Sequence, residues 1–242
     1  MEKLLEIMPL LYLDLGAIII FCTFLVFLRK RSEKIKKRCL YGICCINLLF
    51  LIINDFYLYQ DGANLLTLMP LQLCNIAVFL VPTAIILNKR PILDFVFYIS
   101  APGALGALIV PSSDFLGSTF SLKTISFFTF HFGIAAITFL LVGWGMYKPA
   151  LTIKKAFKLS IGIFALAIVM HLLNVGLGKE FHVEANYFFT IIKYSAPRNP
   201  LFQLFSKIIP YNLFYLLPLL LVVYAYMLII YGLSRLKLKC IK

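Results

Sequence analysis

Residues 9–28, PLLYLDLGAIIIFCTFLVFL, run directly into residues 29–38, RKRSEKIKKR. A spanning helix needs about 20 predominantly apolar residues, and Lys and Arg packed behind such a run mark its cytoplasmic end. The two stretches read as a first membrane span that finishes inside. A secretory leader is the wrong reading: only Lys3 precedes the apolar run, against Glu2 and Glu6, and no small-residue cleavage pattern follows.

The rest of the chain has the same character. Of its 242 residues, 62% are hydrophobic and 14% charged, against roughly 25% charged in a soluble domain. The formal charge of +13 arrives in blocks beside apolar runs, so it sets topology and excludes a nucleic-acid partner. The six cysteines follow no secreted-framework spacing and form no Cys-x-x-Cys pair.

Candidate spans are 9–28, 39–58, 65–87, 91–110, 120–146, 156–177 and 211–233. Lys and Arg number seven in 29–38, two in 88–90, four in 147–158 and four beyond Ser234, but none in 59–64 or 111–119. The alternation demands an odd number of spans. The expected fold is all-α with seven transmembrane helices, the N-terminus outside and the C-terminus cytoplasmic, in one domain covering 1–242. The long 178–210 segment carries four basic residues among aromatic and apolar ones, the composition of an interfacial cap over the extracytoplasmic end.

Ionisable and polar groups inside spans face a bundle interior or an aqueous cavity. Asp14, Asn54, Asp55, Gln72, Cys74, Asn75, His131, His171 and Asn174 all fall in or near the outer half, and Asp94 lies near the cytoplasmic surface. Gln72 with Asn75, and His171 with Asn174, have the i,i+3 spacing that shares a helix face.

A thiol becomes an acyl acceptor when a neighbouring base makes its thiolate available. Cys74 with His131 is the candidate catalytic pair, with Asn75 or Gln72 as oxyanion donor. His171 and Asn174 would orient the acceptor or the histidine, and Asp14 and Asp55 would neutralise a cation or carry a proton. Arg198, among Pro197, Asn199 and Pro200, suits a phosphate. Each also has a packing role open to it: a small residue for Cys74, interhelical hydrogen bonds for the amides and histidines, a helix end for Asp55 and an interfacial anchor for Arg198. His131, His171 and His182 have no metal-ligand spacing, and no phosphate-cradling glycine pattern is present, so neither a metal nor a cofactor is expected. Pro70, Pro82, Pro111 and Pro218 should bend or terminate helices.

The stretch 68–82, LMPLQLCNIAVFLVP, with His131 among phenylalanines, Asn174, Asn186 and Tyr187 of NYFF, and Pro197, resembles the YwaF-like bacterial membrane family. That family is distantly similar to eukaryotic transmembrane cysteine acyltransferases of phospholipids. The resemblance implies a compact multi-span fold in a bacterial cell membrane and a thioester on Cys74. It places the family's Pro-Leu-x-Leu-Cys element on Pro70 to Cys74, its later histidine on His131 and its Asn-Tyr element on Asn186 and Tyr187. Gln72 and Asn75 stand where members often carry histidine and aspartate, which leaves His131 or His171 as base or points to binding without catalysis. The expected activity is acyl transfer or hydrolysis from a membrane phospholipid to a lysolipid, a lipoprotein amine or water. Transport of a small molecule or lipid, and a scaffold or sensor role, are the competing readings.

Overall fold

The computed structural model describes residues 2–112 and 121–239, with side chains over 15–112 and 121–232. The architecture is all-α and multi-span. In chain order the helices are α1 (Glu2–Leu28), α2 (Glu33–Gln60), α3 (Leu73–Leu87), α4 (Arg90–Phe95), α5 (Ala101–Ile109), α6 (Leu122–Gly143), α7 (Ile153–Phe181), α8 (Ile192–Ser195), α9 (Pro200–Ile208) and α10 (Leu217–Lys239). A π-helical turn, Val96–Ser100, joins α4 to α5 without a break.

Among the described residues, five helical runs are long and apolar enough to cross a membrane: Glu33–Gln60, Arg90–Ile109, Leu122–Gly143, Ile153–Phe181 and Phe214–Gly232. Two shorter apolar helices, Leu15–Leu28 and Leu73–Leu87, accompany them. Large apolar side chains such as Ile19, Val26, Ile52, Ile86, Ile109 and Leu221 are exposed on these helices. Such a surface suits hydrocarbon, not water.

The expected span 65–87 differs from one continuous helix. A 3-10 turn, Leu65–Thr67, and an irregular segment through Gln72 precede α3, because Pro70 has no N–H to give and Gln72 takes an extended N-cap conformation. The remaining 15 residues rise only about 22 Å. Cys74 therefore stands in the first turn of a short helix. Pro82, by contrast, lies inside α3 without ending it, while Pro218 sits near the start of α10 and Pro111 just beyond α5.

The bundle is organised around α6, whose buried face includes Ser126, Phe130, His131, Ile134, Thr138 and Leu141. α2 lays a seam along it: Leu40, Cys44, Asn47, Leu51 and Asn54 are buried at alternating four- and three-residue steps. Gly133 makes the approach possible, since a Cβ there would stand 1.9 Å from Asn47 Oδ1. Asn47 Oδ1 has no conventional donor; the Gly133 Cα hydrogen occupies the place of that Cβ and faces the oxygen. α1 docks farther along through Leu25, which meets Gly143 and accepts a 3.2 Å hydrogen bond from Trp144 Nε1 on its carbonyl.

The two ends are closed differently. At the end bearing the basic linkers, Asp94 is 4% exposed. It accepts from Tyr147 Oη at 2.5 Å and Lys155 Nζ at 2.6 Å, with Arg90 Nε at 3.4 Å. Arg90 also donates to the Lys148 carbonyl at 2.7 Å and lies over the Tyr147 ring. Burial, then the hydrogen bond and charge of Asp94, push the Tyr147 phenol up, so it stays a donor. At the other end, α7 continues to Phe181 before His182 caps it in the left-handed region, so the connecting segment begins later than residue 178. That segment, with α8 and α9, forms a cap over the bundle.

Candidate functional site

The cap is held down by amides. Gln72 donates from Nε2 to the Asn186 carbonyl at 3.0 Å and accepts from Phe188 N at 2.9 Å. Asn174, 1% exposed on α7, accepts from Tyr187 N and donates to both the Tyr187 carbonyl and Thr190 Oγ1, each at 2.9 Å. His171 Nδ1 meets the same Thr190 hydroxyl at 3.1 Å, so the i,i+3 pair does share a face. Asn186 ties the cap to itself, accepting from Ile191 N at 2.9 Å and donating to Ser195 Oγ at 2.6 Å. The hydroxyls of Tyr187 and Tyr215 donate to the carbonyls of Leu66 and Phe189. Burial pushes the Tyr187 phenol up and keeps that donor protonated.

This density of bonds has a physical cause. Phe188 and Phe189 are consecutive residues at φ 57° and 56°, a left-handed conformation that costs roughly 1–2 kcal/mol per non-glycine residue. Buried non-helical backbone must also have its N–H and C=O groups satisfied. Gln72 and Asn174 meet both needs at once. Their amides bond to the cap and so position it.

Cys74 lies two residues from this latch. It is half-buried, with no hydrogen bond among the described residues. The main-chain N–H groups of Leu73, Cys74 and Asn75 likewise have no protein acceptor there, as the first turn of a helix requires. Asn75 is half-buried and its side-chain amide is similarly unengaged. The site thus offers a thiol beside three open N–H groups and a carboxamide.

His131 is buried at mid-length on α6, which packs against α3. Its Nδ1 donates to the Phe127 carbonyl at 2.8 Å, which fixes the tautomer and leaves Nε2 as the basic nitrogen. The Phe127 and Phe130 rings hold it at centroid distances of 4.2 and 4.1 Å. No hydrogen bond joins His131 to Cys74 among the described residues.

The other expected residues disperse. Asp55 accepts from Asn54 Nδ2 at 3.3 Å near the end of α2. Arg198 is exposed in a 3-10 turn, Ala196–Arg198, and His182 is exposed at the end of α7. Asp14 is part of α1, but its side chain lies outside the described residues. Among the described residues no three His, Cys, Asp or Glu side chains gather as metal ligands would. Sequence reading misses Thr190, the shared partner of His171 and Asn174; a threonine in an aromatic loop carries no signal of its own. It likewise misses Asn47 against Gly133, which an amide at the centre of an apolar heptad seam would have indicated.

The chain belongs to the TMEM164 family, whose model matches residues 5–231. That corrects the YwaF-like resemblance, and the expected bacterial membrane rested on that likeness alone. The family match and the helices support a multi-span membrane protein; phospholipid acyl transfer, expected from the YwaF-like likeness, is not shown by them. No curated protein and no solved structure matches the chain.

Proposed function

We propose that this TMEM164-family chain is a membrane-embedded enzyme of seven spans, N-terminus outside, whose Cys74 carries an acyl group between lipids. The observation that supports it is the thiol in the first turn of α3, beside the open N–H groups of Leu73, Cys74 and Asn75 and beneath the latched cap. Open N–H groups at a helix N-terminus favour an oxyanion nearby.

In the proposed reaction His131 Nε2 takes the Cys74 proton and the sulfur attacks an ester carbonyl carbon of a membrane phospholipid. The carbonyl π electrons move to oxygen, which the α3 N–H groups and the Asn75 carboxamide stabilise. Collapse re-forms the carbonyl, breaks the C–O ester bond and leaves a thioester, while the departing alkoxide takes the proton from His131 and leaves as a lysolipid. A lysolipid hydroxyl, a lipoprotein amine or water then attacks the thioester, and Cys74 regains its proton. The donor ester already stores the acyl group, so no nucleotide enters the scheme. Gln72, Asn174, Asn186 and Tyr187 act by holding the cap above the reacting atoms.

The test is lysolipid formation by the full-length protein in mixed micelles of defined phospholipids, read by mass spectrometry. Turnover abolished by Cys74→Ser but retained by Cys45→Ser, at a lipid-facing position, supports the enzyme. Turnover unaffected by Cys74→Ser, or absent from wild type, rejects it in favour of a lipid or small-molecule transporter or a scaffold.

A further inference from the structure

A cavity lies at the opposite end of the bundle from Cys74, among the basic linkers. It holds about 320 Å³ and is lined by the start of α2, the ends of α3 and α6, and Leu93 of α4. Its lining combines Glu33, Lys36, Lys37 and Asn88 with apolar residues that include Ile85 and Trp144. The volume is that of a small-ligand site, and the mixed lining suits an amphiphile.

The charges choose its sign. Lys37 is paired with Glu33 at 2.8 Å, whereas Lys36 has no ion pair or hydrogen bond among the described residues. Lys36 is half-buried, and residues 29–38 carry seven Lys or Arg against Glu33 alone, a net +6. The carboxyl ends of α3 and α6 contribute roughly half a negative charge each, which reduces this field without cancelling it. An anion is therefore favoured, with Lys36 as its direct partner.

The surroundings choose a lipid over a free anion. Ile86 and Leu87, beside the lining residues Ile85 and Asn88, are 66% and 52% exposed. An acyl chain continuing from the cavity along α3 therefore meets an apolar surface. Basic pockets between spans at a membrane surface take anionic headgroups in this way. We infer that the cavity between α2, α3 and α6 binds the phosphate headgroup of an anionic phospholipid through Lys36, independently of any chemistry at Cys74.

Trp144 lines the cavity and is the chain's single tryptophan, so it reports occupancy. The full-length protein in nonionic detergent is titrated with short-chain phosphatidylglycerol or phosphatidylcholine bearing brominated acyl chains, and Trp144 quenching is followed. Saturable quenching by phosphatidylglycerol at lower concentration than phosphatidylcholine is expected. Lys36→Gln should raise the phosphatidylglycerol midpoint about fivefold, Lys36→Arg should restore it, and Lys34→Gln, at an exposed position, should change it less. Retention of wild-type Trp144 emission before lipid addition verifies that each variant is folded. Equal midpoints for the two headgroups, or an unchanged midpoint in Lys36→Gln, overturns the proposal. Displacement by inorganic phosphate at the concentration at which the lipid binds shows a free-anion site and overturns it as well.

Discussion

The two ends of the bundle solve one problem, closing a set of helices, with opposite chemistry. Ions close the basic end: Asp94 gathers Lys155, Arg90 and Tyr147. Neutral amides close the capped end: Gln72 and Asn174 bind cap backbone. The difference follows from what each end must neutralise. Basic linkers need a buried carboxylate to draw them together, whereas strained, non-helical backbone needs donors and acceptors and would be poorly served by charge. The ionic knot is accordingly a structural clasp, and the amide latch is a positioning device beside a thiol.

Removing the centre of each closure gives the largest effects. Asp94→Ala leaves Lys155 and Arg90 without their carboxylate and should destabilise the detergent-solubilised protein by about 3 kcal/mol in thermal or denaturant unfolding. A loss no larger than that of an exposed charge would reduce the knot to surface decoration. Asn174→Leu, which forfeits three hydrogen bonds to the cap and orphans the Tyr187 main chain, should cost about 2 kcal/mol. Gln72→Leu should cost about 1–2 kcal/mol, concentrated locally. Hydrogen exchange should then rise at residues 186–190 while α6 keeps its protection; uniform loss of protection would refute the local latch.

Salt separates the two ends without mutation. At about 1 M salt the screening length falls to roughly 3 Å. The effect of Asp94→Ala should therefore shrink, because Lys155 and Arg90 reach solvent, while that of Asn174→Leu stays the same. The smallest effect is expected for Lys193→Gln: its partner Glu184 is 3.9 Å away and both are exposed, so the change should lie within about 0.5 kcal/mol.

Hydropathy made the membrane class and most of the helices legible, because long apolar runs have few other uses. It could not show the break in 65–87. Leucine and methionine read alike whether the backbone is helical or extended, and only Pro70 and Gln72 marked the change. Side-chain types alone also suggested that Gln72 faces a substrate. Its partners, the Asn186 carbonyl and the Phe188 amide, belong to backbone more than a hundred residues away in sequence, and main-chain groups leave no trace in a residue code. Asp94 was visible as a carboxylate near the basic side, but its meeting with Lys155 and Tyr147 depends on how α4, α6 and α7 pack.

The proposed role of the capped end rests on Cys74, whose acylation state can be weighed directly. Full-length protein is incubated with a defined phospholipid mixture and its intact mass is recorded over time. A mass gain equal to one donor acyl chain is expected, absent in Cys74→Ser and removed by hydroxylamine as a thioester. An acyl gain that persists in Cys74→Ser, or no gain at any time together with no lysolipid release, would contradict it.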